Sequence, residues 1–305
     1  IEGFKSITIS SLFNVRREHD MAAAMETIFE AADIAIENGY NIIVLSDKGA
    51  DKDKAPIPAL LCTAGLHHHL IRKGTRMKTS IVIETGEPRE VHHFACLIGY
   101  GANGVNPYLA YESIERLCSD RLVSFDTAEA CERYRTAVTN GIVKIMSKMG
   151  ISTIQSYQGS QIFEALGIRQ SVVDKYFTGT ATRIGGIGLD NIESEVLARH
   201  HDAFDKVTAE DALKTGGEYK WRANGEYHMF NPVSIYKLQR ACRTGDYNLY
   251  KEYAREMDKH QEKQCTIRGM LNIRTIDKPI AIDQVESVDS IVKRFKTGAM
   301  SYGSI

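Results

Sequence analysis

The stretch Lys78-Thr79-Ser80-Ile81-Val82-Ile83-Glu84-Thr85-Gly86-Glu87-Pro88-Arg89-Glu90-Val91-His92-His93-Phe94-Ala95-Cys96-Leu97-Ile98-Gly99-Tyr100-Gly101-Ala102-Asn103-Gly104-Val105-Asn106-Pro107-Tyr108 reads as one strand–helix–strand unit. Ser80 to Glu84 is a β-branched run closed by Thr85-Gly86, the pattern of a buried strand. Pro88 stands where a first helical residue is favoured, because its missing N–H is not needed there. Val91, Phe94, Ala95 and Ile98 then recur at helical spacing. Gly99 and Gly101 stop the helix, and Val105-Asn106 begins a second strand that Pro107 ends. Two strands joined this way must be parallel, with a right-handed crossover.

The same alternation extends in both directions. Upstream, Phe4 to Ser10 alternates as a first strand, and Glu18 to Asn38 follows as a helix buried through Met21, Met25, Ile28, Phe29, Ala32, Ala35 and Ile36. Asn41 to Ser46 is a second strand ending at Asp47. The next helix takes Pro56 and Pro58 in its first turn and ends at Gly74. Downstream, Leu109 to Cys118 and Thr127 to Met149 are helical, Ile151 to Gln155 reads as a strand, and Gln161 to Leu166 as a short helix. Ser171 to Phe177 fits strand or helix equally. A glycine-rich loop, Thr178 to Gly188, precedes a helix from Asp190 to about Phe204. Asn224-Gly225, between Glu218–Arg222 and Glu226–Phe230, signals an antiparallel hairpin. Helices return at Val233 to Cys242, Asp246 to His260 and Val288 to Lys296. The fold class expected is α/β: a mostly parallel sheet with helices packed around it, TIM-barrel-like. Too few strands are legible to close an eight-stranded barrel.

Composition narrows the function classes. A chain of 305 residues with 43% hydrophobic and 25% charged residues is an ordinary globular protein. Its formal charge of −1 gives no footprint for nucleic acid or an anionic membrane. The apolar run from Pro58 to Leu66 is too short to span a bilayer. Six cysteines without a C-x-x-C pair suit reduced thiols in a cytoplasmic protein. Ile1 is not an initiator methionine, and the chain stops at Gly303-Ser304-Ile305 as a strand-like run begins, as expected of a segment of something longer.

Several motifs invite a chemical reading. Gly99-Tyr100-Gly101-Ala102-Asn103-Gly104 is a literal G-x-G-x-x-G, but it ends a helix and enters a strand, the reverse of a dinucleotide fingerprint. The 178–188 stretch leads into a helix N-terminus, so Arg183 with the backbone of Gly185 and Gly186 is a candidate anion site. The simpler alternative is a packed loop whose glycines admit a close neighbour. Asp47, Glu84, Asn106 and Gln155 fall at strand ends and can converge on one mouth, where parallel α/β folds bind ligands. Strand ends also need such residues as caps and contacts with water, and that structural use is preferred. His67-His68-His69 resembles a metal tract, yet consecutive helical residues point about 100° apart and cannot share one ion. His92-His93 and His200-His201 fail likewise, so no metal site is expected. No catalytic residue can be singled out.

Longer strings carry a resemblance. Ile83 through Phe94, Ile98-Gly99-Tyr100-Gly101-Ala102, Val105-Asn106-Pro107-Tyr108-Leu109-Ala110, Ser147-Lys148-Met149-Gly150-Ile151-Ser152-Thr153, Gln155-Ser156-Tyr157, Gln161-Ile162-Phe163-Glu164-Ala165 and Tyr176-Phe177-Thr178-Gly179-Thr180 closely resemble the central domain of glutamate synthases. The resemblance covers nearly the whole chain in order. Val292 to Ile305 is similar to the start of that family's FMN-binding synthase domain, so the resemblance implies residues 1–285 as central domain and 286–305 as the beginning of the synthase domain. It further implies that Ala299, Met300, Ser301, Tyr302 and Gly303 lie near FMN in an intact enzyme, that the segment alone holds neither FMN nor the iron–sulfur cluster, and that its partners are the N-terminal glutaminase domain and the FMN synthase domain. The implied role is a non-catalytic connector that keeps two reaction sites in register. The alternative is an independent α/β enzyme or phosphate-ligand binder using the strand-end mouth and the 178–188 loop.

Overall fold

The structure, a computed structural model, describes residues 3–17, 20–204, 216–261, 266, 271 and 274–294. The chain divides into two compact units, Ile1–Ala209 and Glu210–Ile305. The first unit runs β1 (Ser6–Ser10), β2 (Leu12–Asn14), α1 (Asp20–Glu37), β3 (Ile42–Ser46), β4 (Lys54–Pro56), α2 (Ala59–Arg72), β5 (Ser80–Glu84), α3 (Val91–Gly99), β6 (Gly104–Asn106), α4 (Tyr108–Ser119), α5 (Thr127–Met149), α6 (Ile154–Tyr157), β7 (Glu164–Ile168), α7 (Gln170–Tyr176), β8 (Ala181–Ile187) and α8 (Leu189–Phe204). In the second unit, α9 (Pro232–Thr244) packs against α10 (Tyr247–Gln261), and α11 (Val288–Arg294) follows.

The main sheet is parallel in the order β1-β3-β5-β6. Successive strands are therefore neighbours, as in a barrel, with no reversal of order. Helix α1 packs on α2 and α2 on α3, the row that crossovers of one hand between parallel neighbours produce. Ile9, Leu45 and Ile83 form one register row and Ile7, Ile43 and Ile81 the next. These side chains share a face because strand residues alternate, and all but Ile7 are buried. The opposite face carries Thr8, Val44, Val82 and Gly104 in one row and Ser10, Ser46, Glu84 and Asn106 in the next.

Helix α2 explains itself by its sequence. Leu61, Cys62, Thr63, Ala64, Gly65, Leu66 and Leu70 are buried on more than one side of it, as an apolar helix with neighbours all round must be. One neighbour is α7, which buries Val172, Val173 and Tyr176. Further along, Asp126 caps α5 by accepting from Glu129 N–H at 2.8 Å, and Gly150 ends it in the left-handed region. No helix among the described residues is long and apolar enough to cross a membrane.

The first six elements of the expected alternation occur in the structure in that type and order, with β2 and β4 added among them; four later ones differ. Ile151 to Gln155 is no strand: Thr153 Oγ1 accepts from Ser156 N–H at 3.3 Å and starts the short helix α6. The stretch expected as a short helix yields β7, and the expected glycine loop yields β8, the two pairing in parallel. At Gly186 a Cβ would overlap the carbonyl of Gly167, so these glycines permit strands to approach rather than a ligand to enter. The hairpin at 218–230 forms its turn, with Asn224 at φ 61 and Gly225 N–H donating to Arg222 O, but no strands flank it. Antiparallel pairing occurs instead between β2 and β4, where Pro56 lies in a strand and not in the first turn of α2. Pro88 lies before Glu90, the residue preceding α3, and so is not the first helical residue.

Gly65 marks where α1, α2 and α7 meet. A Cβ there would lie 2.5 Å from Met25 Cε, 3.1 Å from Tyr176 Cδ1 and 3.2 Å from Phe29 Cζ. Gly65→Val is expected to destabilise the first unit by about 2 kcal/mol through overpacking, read by urea unfolding. Gly65→Ala should cost far less, because Met25's terminal methyl can swing aside and alanine favours the helix.

Candidate functional site

The C-terminal rim of the main sheet is built from the residues that end its strands. Glu84 closes β5 and stands in register with Ser46 and Asn106. Its carboxylate accepts from Ser46 Oγ at 2.6 Å and Asn106 Nδ2 at 3.2 Å, with Lys48 Nζ 3.4 Å away. The Ser46 hydrogen bond, helped by Lys48 and Asn106, holds the Glu84 carboxyl below its usual range despite some burial. Lys48 also lies over the Tyr108 ring, 5.0 Å from its centre.

Asp47, one residue beyond β3, is buried and fully engaged. Thr85 Oγ1 donates to it at 2.5 Å, and Gly86 N–H reaches both of its oxygens at 3.1 and 3.2 Å. Burial pushes the Tyr108 hydroxyl above the usual phenol range, and a hydrogen bond with Asp47 adds to that effect. The phenol therefore stays protonated and serves as a further donor. Glu87 follows on the same loop and accepts from Ala59 N–H at 2.8 Å, covering the start of α2, where the N-cap residue Pro58 makes no side-chain hydrogen bond. Burial raises the Glu87 carboxyl, and the Ala59 hydrogen bond opposes that.

This arrangement binds strand ends to one another. Each of these carboxylates accepts from donors of its own chain. Of the four residues expected to converge, Asp47, Glu84 and Asn106 do. Gln155 does not: it is exposed on α6. Arg183, Gly185 and Gly186 lie in β8, with the Arg183 guanidinium largely exposed and 3.8 Å from Glu164. Ala299, Met300, Ser301, Tyr302 and Gly303 lie outside the described residues.

The histidine runs separate as helical geometry requires. His69 meets Asp33 at 3.0 Å and stacks on Phe29, while His67 turns to Arg76. His93 Nδ1 accepts from Arg89 N–H at 3.0 Å just before α3, and His200 Nε2 contacts Asp51 O at 2.6 Å. Among the described residues no three His, Cys, Asp or Glu side chains gather as a metal site. Burial pushes the Cys62 thiol up to about 12 and the Cys96 thiol up to about 11, so neither offers a thiolate nucleophile at neutral pH.

A second constellation escaped sequence reading. Arg76 Nε donates to His67 Nδ1 at 2.9 Å, and its other nitrogens reach Thr79 O at 2.7 Å, Gly101 O at 2.8 Å and Asn103 Oδ1 at 3.0 Å. Asn103 Oδ1 also accepts from Ile81 N–H at 3.0 Å. Gly101 sits at φ 106 against the His67 ring, where a Cβ would overlap Nδ1. The available signal was the glycine motif itself, whose Gly101 and Asn103 receive this arginine instead of a phosphate.

Two outcomes test the rim. Thr85→Val leaves a buried carboxylate without its shortest donor and should cost about 2 kcal/mol in urea unfolding. Ser46→Ala should raise the Glu84 pKa toward its usual value of 4.5. The stability conferred by a depressed carboxyl is full above its unfolded value and is lost as pH falls through the folded one. The gap between the two proteins in unfolding free energy should therefore be widest near neutrality and close in acid.

The chain's likenesses are consistent along its length. A family model described as the glutamate synthase central domain matches residues 1–169, and one described as a conserved region in glutamate synthase matches residues 228–305. The NADPH glutamate synthase large chain of Bacillus subtilis is 46% identical over 301 residues, covering 99% of this chain and 19% of its own. The NADH glutamate synthase of Schizosaccharomyces pombe is 41% identical over 289 residues, covering 93% of this chain and 14% of its own. The ferredoxin-dependent glutamate synthase of Pyropia yezoensis is 38% identical over 312 residues, covering 98% and 20%. The chain thus spans about a fifth or less of the length of these relatives. With the central-domain model alone covering more than half of it, the chain belongs to the glutamate synthase family.

Proposed function

We propose that this chain is the connecting segment of a glutamate synthase, an oxidoreductase that forms two glutamates from glutamine, 2-oxoglutarate and a reductant. Residues 1–285 act as the central domain and 286–305 begin the synthase domain. The segment holds a glutaminase site and an FMN synthase site in register, works in the cytoplasm and carries no catalytic group of its own. The observation that supports this most is the closed rim: Asp47, Glu84 and Glu87 each accept hydrogen bonds from their own chain.

Mechanically, the parent reaction needs ammonia released at one site to meet 2-oxoglutarate at another without loss to water. That calls for a fixed distance between the two sites. A parallel sheet under close-packed helices deforms little, whereas a flexible linker would sample many separations. The core of α1, α2, α3 and the strands supplies such stiffness, and the short loops at the rim, pinned by Asp47 and Glu87, keep the strand ends from moving independently.

FMN in the parent supplies the reducing equivalents for the imine of 2-oxoglutarate and ammonia. The rim of the main sheet, where a parallel sheet would receive the flavin, is occupied by its own hydrogen bonds, which supports placing the flavin elsewhere. The five described cysteines do not join other ligating side chains in a set that fits an iron–sulfur cluster. Both groups are assigned to the partner domains, with Ala299 to Gly303 approaching the flavin from this chain.

The isolated 305-residue chain is expected to release no glutamate from glutamine and to pass through gel filtration without retaining added FMN. Measurable glutamine hydrolysis, or stoichiometric yellow protein after desalting, would overturn the proposal. So would a thermal shift of several degrees with a sugar phosphate or nucleotide that Arg183→Ala abolishes, which would favour an independent ligand-binding enzyme.

A further inference from the structure

Next to the Arg76 constellation lies a cleft of about 250 Å³ between α2, the end of α3 and the turns leading into β7 and β8. Its base is His67, only 8% exposed. A guanidinium has no acceptor capacity, so Arg76 Nε must donate to His67 Nδ1, and the neutral ring then carries its proton on Nε2. Burial, Arg76 and His68 together press the His67 pKa down to about 4, which keeps the ring neutral near pH 7. Its Nε2–H has no acceptor among the described residues. The adjacent Gly159 adds no side chain in front of it, since a Cβ there would stand 3.9 Å from Nε2.

We propose that this cleft binds a small planar carboxylate, with the His67 Nε2–H as its fixed donor. A second donor comes from the hydroxyl pair Tyr100 and Thr180, whose oxygens are 2.6 Å apart. Two hydroxyls bring two hydrogens and their mutual bond uses one, leaving the other for a ligand oxygen. The sign of the ligand follows from the charges nearby: those acting on His67 and His68 are the guanidiniums of Arg76 and Arg72, and no acidic side chain lines the cleft. Its shape follows from the wall. The Tyr100 and Phe163 rings stack at 5.7 Å with 24° between their planes and offer a flat apolar surface.

Benzoate is the probe. Titrated into the 305-residue chain, it should shift the His67 Nε2 resonance in histidine-selective ¹⁵N spectra saturably below about 10 mM. Benzyl alcohol, similar in size but uncharged, should bind at least about tenfold more weakly, and His67→Phe should lose at least as much affinity for benzoate. Because His67→Phe also strands Arg76, a second variant is needed. Ile71→Trp enlarges a half-exposed residue of the cleft wall without touching a polar group, and it should block benzoate while leaving the unfolding midpoint unchanged. A His67 resonance indifferent to benzoate, equal binding of the alcohol, or undiminished binding by folded Ile71→Trp would each overturn the assignment.

Discussion

Because β3 and β5 pair in parallel, with Ile43 beside Ile81 and Leu45 beside Ile83, the chain between them must cross from one end of the sheet to the other over a single face. That crossover is α2, and its position decides what surrounds it. The sheet lies beneath, α1 and α3 on its flanks and α7 on a further side. A helix enclosed in this way has little room for polar residues, which is why Leu61, Cys62, Ala64, Leu66 and Leu70 share it with Gly65. Each fully buried aliphatic side chain contributes roughly 1.5–3 kcal/mol. The ladder and the helix over it are therefore one cooperative structure.

The two ends of this layer handle charge in opposite ways. At the C-terminal rim, acids are matched by short donors within one or two residues of a strand end. At the other end a single guanidinium links α2, the turn before β5 and the turn after α3. Burying either charge alone would be costly, and in both places the cost is offset by several hydrogen bonds to groups of fixed position. The difference lies in what remains over. Asp47 and Glu84 are acceptors surrounded by donors; Arg76 hands its directionality on to His67, whose remaining N–H has nothing in the described chain to meet.

Much of the fold was legible because local pattern and tertiary need agree in the first hundred residues. The stripes of α1 and α2 and the β-branched runs of β3 and β5 bury most of the side chains their periodicity selects, although Ile71, expected to line α2's buried face, is half-exposed. Agreement ends where pairing overrides propensity. Glu164 to Ile168 holds few β-branched residues and becomes a strand only because Ala181 to Ile187 lies beside it. Asn224-Gly225 shows the converse, a turn signal obeyed without the strands it normally joins. For the rim, residue type and strand position sufficed for Asp47, Glu84 and Asn106, and Gln155 failed with the strand it was assigned to. Arg76 left no trace in the pattern, since one arginine in a short polar turn is indistinguishable from any solvated cation until the turns around it are placed.

The strand order β1-β3-β5-β6 has a geometric consequence. Among the described residues, the arc of consecutive parallel strands stops at four and leaves a margin at each side, where β1 and β6 pair with no further strand. Such margins invite another chain to continue the ladder. Here β6 is only Gly104–Asn106, too brief to template a long addition, and β1 alternates Ser6, Thr8 and Ser10 on one side. Lateral growth of the sheet past β6 is thus discouraged by the truncation of that border.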